Sequence, residues 1–263
     1  MIINSFLIII GLIFDVNIFS SFPGSSRFGY SGLFTKSGES VLLYLLLIVY
    51  FYAKFLKGKS ILPVIYFILI AILSGKKIAL LIIPLLFTIH FCLRSKYKVY
   101  FSIIGLFIIS IIIFFKRAIL DFLFNSFPFW EKILIEKGIW AVITSTRNLN
   151  LLKTQTFVEN NWSFVNYIFG GVDYNNSKIE IDPLDLFMFF GFVGGIFYLL
   201  FLTKNFLILE NKYLKILIIG FLVLGMLYGA FLFNIILMSI VFLVILNIQS
   251  EEEKVKNRVK TES

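Results

Sequence analysis

Side chains able to do chemistry are scarce in this chain, and the basic ones stand at telling places. Arg27 lies in FPGSSRFGYSGLF, a Gly/Ser-rich stretch whose backbone amides could wrap an anion. Lys76 and Lys77 follow Ser74-Gly75 and open an apolar run. Arg147 follows Thr144-Ser145-Thr146, any of which could cap a helix reading RNLNLLKTQTF. Cations in a first helical turn oppose the helix dipole, and a bound phosphate-like anion resolves that conflict. The plainer alternative is a set of snorkelling cations that touch lipid headgroups.

Acidic residues gather at Glu180, Asp182 and Asp185. Asp182-Pro183-Leu184-Asp185 has the form of a helix start, with Asp182 as N-cap, Pro183 at N1 and Asp185 at N3. Glu180 is not needed for that cap and is the better candidate general base, with Asp182 as the fallback. Glu180-Ile181-Asp182 also spells an acidic pair able to hold a divalent metal on a diphosphate, but so short a pattern arises easily by chance. The one cysteine, Cys92, excludes an internal disulfide and a thiolate metal cluster, and the one histidine, His90, rules out paired-histidine zinc motifs. Asp15 reads as a carboxylate near the outer end of a span. Gly191, Gly194 and Gly195 read as helix-packing positions, and Trp130, Trp140 and Trp162 as interface anchors.

The elements that must position these groups are helices in a bilayer. The 263 residues are 59% hydrophobic and only 15% charged, with a mean hydropathy of +0.95, and runs of apolar residues of spanning length recur. The sequence therefore predicts an all-α, polytopic integral membrane protein with about eight transmembrane helices. They fall near 2–19, 41–56, 60–74, 77–93, 99–115, 184–202, 213–229 and 231–247. The third is short for a bilayer, and the last two are parted near Tyr228-Gly229-Ala230. Lys54, Lys57, Lys59, Arg94, Lys96, Lys98, Lys204, Lys212 and Lys215 share one side with the basic tail. Only Arg27, Lys36, Lys76 and Lys77 fall in the short loops opposite, so both termini are expected inside.

Four regions follow: helices 1–5 over 1–115, a large outer loop over 116–183, helices 6–8 over 184–248, and a charged, solvated tail over 249–263. The outer loop begins with aromatic and aliphatic residues among spaced charges, a pattern of interfacial helices. Its stretch from Asn160 to Ser177 reads as a surface loop. A formal charge of +9 is accounted for by these orienting loops, and no nucleic-acid partner is expected.

The series RFGYSGLF, LSGKKIALL, STRNLN, IFGG and IEIDPLDLFMFFGFVGG resembles, in order and spacing, the bacterial O-antigen and capsular polysaccharide polymerases, which share a superfamily with the O-antigen ligases. The resemblance spans most of 25–245. It implies polymerisation of undecaprenyl diphosphate-linked oligosaccharide repeats at the outer face of the bacterial cytoplasmic membrane, with no metal or other cofactor. A flippase and a chain-length regulator would be partners. The family's active arginines map onto Arg27 and Arg147, and its Arg-to-Gly spacing fits Arg27 with Gly38 but meets Val158 after Arg147. Family members usually carry several more spans upstream, so the resemblance implies either a compact member or a sequence without its true start.

On that reading Arg147, Arg27, Glu180 and Asp182 are the catalytic candidates. Lys76, Lys77, Gly38, Gly170, Gly171 and Asp185 are the substrate-binding ones. An O-antigen ligase, which would be expected to carry an outer histidine, is one alternative. A lipid-linked sugar flippase or transporter is another, although inverted repeats and mid-membrane charges are little in evidence. A purely structural membrane subunit would leave the outer cations without a purpose.

Overall fold

The computed structural model describes residues 1–25, 27–34, 37–94, 96–114, 128–173, 178–206, 208–229 and 231–262. Lys36, Ala230 and most of the expected first interfacial segment (116–127) lie outside them. The described fold is all-α. A helix occupies each of the eight predicted spans: α1 (Ile2–Phe14), α2 (Ser37–Leu56), α3 (Leu62–Leu73), α4 (Lys77–Phe87), α5 (Lys98–Phe114) and, after three helices of the segment expected as the outer loop, the last three. Those of that segment are α6 (Pro128–Thr144), α7 (Arg147–Asn161) and α8 (Phe164–Phe169); then come α9 (Asp182–Phe206), α10 (Lys212–Tyr228) and α11 (Ile235–Glu262). By length and composition two of them, α2 over Gly38–Leu56 and α9, could cross a membrane.

The core is organised on α2. Val41, Tyr44, Leu45, Ile48, Val49 and Tyr52 recur every three or four residues and are buried, so the helix is enclosed rather than amphipathic. Its first-turn Glu39 and last-turn Lys54 both complement the helix dipole. Around it pack α3, α4, α10 and α11. The outward faces are apolar: Ile3, Ile13, Phe107, Phe197, Leu200 and Leu243 are each more than half exposed. Such surfaces are costly in water and natural against lipid.

Several boundaries differ from expectation for physical reasons. The first span stops at Phe14 because Asp15 turns left-handed (φ 48°) and its amide returns to the Gly11 carbonyl. Asp15 then accepts a hydrogen bond from the Tyr30 hydroxyl at 2.9 Å, an anchoring role rather than a pathway one. In the fourth span Pro84 sits inside α4, and past Phe87 the helix continues as a π-helix, Thr88–Arg94. The last two spans part at Gly229 as expected, but the connection runs to Asn234, whose side chain caps α11 by accepting the Leu237 amide at 3.0 Å. The tail is not a loose end: α11 continues into it, and Glu251 pairs with Lys57 at 3.3 Å.

The largest departure is in α9, whose backbone breaks at Gly191 (φ 63°, ψ −169°). The Met188 carbonyl accepts instead from the Gly171 and Val172 amides, each at 3.2 Å. The turn after α8 is thereby seated in the break. A Cβ at Gly191 would run into the Ile168 carbonyl, and one at Gly170 into that of Phe189. The stretch expected as a free surface loop therefore docks on a helix over its described part, up to Asp173, beside a small separate core of Val158, Val172, Ile179 and Met188; its last four residues, 174–177, lie outside the described ones.

Candidate functional site

The site begins with two loops sewn together by their backbones. The Tyr30 amide donates to the Leu73 carbonyl at 2.9 Å, and the Ser21 hydroxyl to the Ser74 carbonyl at 3.0 Å. Gly75, at positive φ, lets the chains touch, since a Cβ there would collide with the Phe28 carbonyl. The first loop is in turn held to the bundle by buried Asn4. Its Nδ2 donates to the Ser31 carbonyl and the Tyr44 hydroxyl, and its Oδ1 accepts the Leu33 amide at 2.7 Å. Arg27 and Lys76 are thus set side by side by glycine-permitted backbone pairing.

Arg147 arrives from the other side. Ser145 and Thr146 are both left-handed (φ 55° and 70°), an uncommon conformation for such residues that reverses the chain between α6 and α7 and leaves Arg147 first in α7. Thr146 makes no capping bond, and the Thr144 hydroxyl accepts the Asn148 amide of the first turn at 3.4 Å. The cation does not sit over its own helix start as expected. Its Nη1 donates to the Leu227 carbonyl at 2.7 Å and its Nη2 to the Tyr228 carbonyl. Those are the last carbonyls of α10, the negative end of that helix dipole. Its Nε lies 3.8 Å from the Glu180 carboxylate. The dipole conflict read from the sequence is therefore met within the protein.

These groups converge on one cavity of about 560 Å³ lined by Arg27, Lys76, Lys77, Arg147, Glu180 and Tyr228, with Trp130 of α6 on its wall. Four cations from three separate stretches of sequence face one carboxylate. Aromatic faces and carbonyls shield them. Arg27 lies 3.7 Å and Lys76 4.0 Å from the Phe22 ring centre, and Lys77 lies 3.3 Å from that of Trp130 while donating to the Val142 carbonyl at 2.6 Å. Burial pulls Lys76 down to about 8, with the nearby charges of Arg27 and Arg147 adding to the effect. Burial also lowers Arg27 from its usual value. A half-buried cluster with excess positive charge can offer several donors to an anion.

The other sequence candidates fall outside this lining. Asp182 is fully buried, and its Oδ2 accepts the Leu232 amide at 2.7 Å, pinning the α10–α11 connection instead of capping its own helix. Asp185 is buried too and accepts the Ile179 and Glu180 amides at 2.8 and 3.0 Å. It holds the turn that presents Glu180. Asp182, the expected fallback base, and Asp185, the expected substrate contact, are thus both fully buried and absent from the lining of this cavity. Gly170 and Gly171 serve the α9 break rather than this cavity. Gly38 packs against the Tyr228 ring and lines a second cavity behind it. Among the described residues no group of three or more His, Cys, Asp or Glu could hold a metal ion.

Two lining residues were missed. Tyr228 read only as a helix end and Trp130 only as an interface anchor, since nothing local marks either as facing the cations. His90 packs at Tyr52 and Phe55, its Nδ1 3.2 Å from the Tyr52 hydroxyl, and does not line the cavity. No protein family matches the chain, and no curated protein or solved structure matches it.

Proposed function

We propose that this chain is an eight-span membrane polymerase of diphosphate-linked oligosaccharide repeats, with its cationic cavity at the outer face of a bacterial cytoplasmic membrane and both termini inside. The single observation that carries the reading is the convergence of Arg27, Lys76, Lys77 and Arg147 on one cavity containing one carboxylate. The exposed apolar faces of α1, α5 and α9 support its place in a bilayer. So does the opposite end, where Lys54, Lys57 and Lys59 gather around Glu251 as positive-inside loops would.

In the reaction, an acceptor hydroxyl oxygen bonds to the anomeric carbon of the growing glycan. The bond from that carbon to the lipid diphosphate breaks, with its electron pair leaving on the diphosphate oxygen. Glu180 takes the hydroxyl proton. Fixed cations aimed at the departing charge supply the main stabilisation, and the aromatic wall excludes water from it.

The test is deletion of the gene and complementation with wild type or the Lys76→Gln/Lys77→Gln double variant, followed by sizing of surface polysaccharide. This pair is cleaner than Arg147→Ala, because Arg147 also holds the end of α10. The reading predicts that the double variant leaves single repeats attached to their surface acceptor. Unattached, lipid-linked polymer would point to a ligase, and repeats trapped inside to a flippase. Full-length polymer from the double variant would overturn the assigned site.

A further inference from the structure

Behind the cationic cavity lies a second one of about 690 Å³, lined by Gly38, Glu39, Lys178, Tyr228, Asn234 and Ile236 among others. The two share Tyr228, which stands as a common wall. Next to it run Lys178, on the second cavity, and Glu180, on the first. Gly229 brings the two backbones together at this border, since a Cβ there would strike the Glu180 carbonyl. The second cavity differs in chemistry from the first. Its polar groups are one carboxylate, one amide, one ammonium and the edge of an aromatic ring, with the Asn234 amide donating to Glu39 at 2.9 Å. A few mixed hydrogen-bonding groups beside an aromatic and aliphatic wall suit a neutral sugar, whose hydroxyls need donors and acceptors and whose C–H faces need apolar contact.

We propose that this second cavity is the acceptor subsite: it holds the non-reducing sugar of the incoming repeat and presents a hydroxyl across Tyr228 and Gly229 to Glu180. The inference rests on the polymerase reading and adds to it where the acceptor lies and what recognises it. The charge asymmetry decides the assignment. A diphosphate in the second cavity would meet one ammonium, Lys178, and one carboxylate, Glu39, whereas in the first it meets four cations and one carboxylate.

The experiment titrates the purified full chain in detergent micelles with two probes. One is farnesyl diphosphate; the other is the lipid-free repeat oligosaccharide released by mild acid from the host's lipid-linked precursor. Glu39→Gln keeps an oxygen for Asn234 while removing the charge. Ile236→Trp adds bulk from a position that is 75% exposed, so the helix tolerates it. Both variants are expected to weaken oligosaccharide binding by roughly tenfold or more, the loss typical of one charged hydrogen bond. Both should leave farnesyl diphosphate binding unchanged, and Lys76→Gln should show the reverse pattern. Oligosaccharide binding that is absent in the wild type, indifferent to both variants, or lost instead in Lys76→Gln overturns the subsite. Failure of the wild type to bind farnesyl diphosphate would instead remove the polymerase reading, while the oligosaccharide arm still reads this proposal.

Discussion

Lys76 shows how the site's purpose sets against its stability. Burial pulls the lysine down to about 8 in the folded chain, from its ordinary 10.5 when free of the fold. Below about 8 it is charged in both states, and its burial cost is fully present. Between the two values the unfolded chain binds more protons, so stability rises with pH. Lys76→Met is expected to stabilise the ligand-free protein at pH 7 by about 1 kcal/mol and to flatten that rise, as measured by thermal unfolding across pH. The same change should weaken farnesyl diphosphate binding. Wild-type binding should itself fall as pH passes 8, because the ligand needs the ammonium form; titrations from pH 7 to pH 9.5 read that directly. Arg147 makes a second case. Arg147→Lys keeps the charge but cannot donate to the Leu227 and Tyr228 carbonyls together. It is expected to lower stability by about 1–2 kcal/mol while retaining most diphosphate affinity, two quantities that unfolding and titration separate.

At the scale of elements, glycines decide where backbones may touch. Gly191→Ala puts a side chain at positive φ and into the Ile168 carbonyl. The expected cost is about 1–3 kcal/mol, and thermal unfolding of the variant measures it. Gly195→Ala meets nothing closer than a Leu186 methyl at 4.0 Å and serves as the near-neutral control. These contacts also explain what was legible in the sequence. The helix positions were, because long apolar runs announce themselves, and so were Lys76, Lys77 and Arg147, which stand at helix starts against the dipole, while Arg27 stood out only by its Gly/Ser-rich loop. The α9 break was not, since the stretch is continuously apolar and its seat, Gly170-Gly171, lies well upstream. The acidic trio misled for a related reason. A carboxylate that caps its own helix and one that pins a distant amide share one local pattern, and only the fold brings Leu232 to Asp182.

Over the whole molecule the two ends carry different charge problems: lysines around Glu251 at one end, and four cations with little acid at the other. The proposed eight-span arrangement predicts sidedness. In a Cys92→Ser background, Ser25→Cys should react with a membrane-impermeant maleimide on intact cells, and Ser60→Cys only after permeabilisation. The central claim is that this cavity joins diphosphate-linked repeats, and reconstitution tests it most directly. Purified protein in vesicles is supplied with the host's lipid-linked repeat units, and products are sized. The account predicts chains of two or more repeats, one lipid diphosphate released per new bond, and neither product from the Lys76→Gln/Lys77→Gln variant. Repeats that stay single with the wild-type protein, or chains that grow as well with the variant, would contradict it.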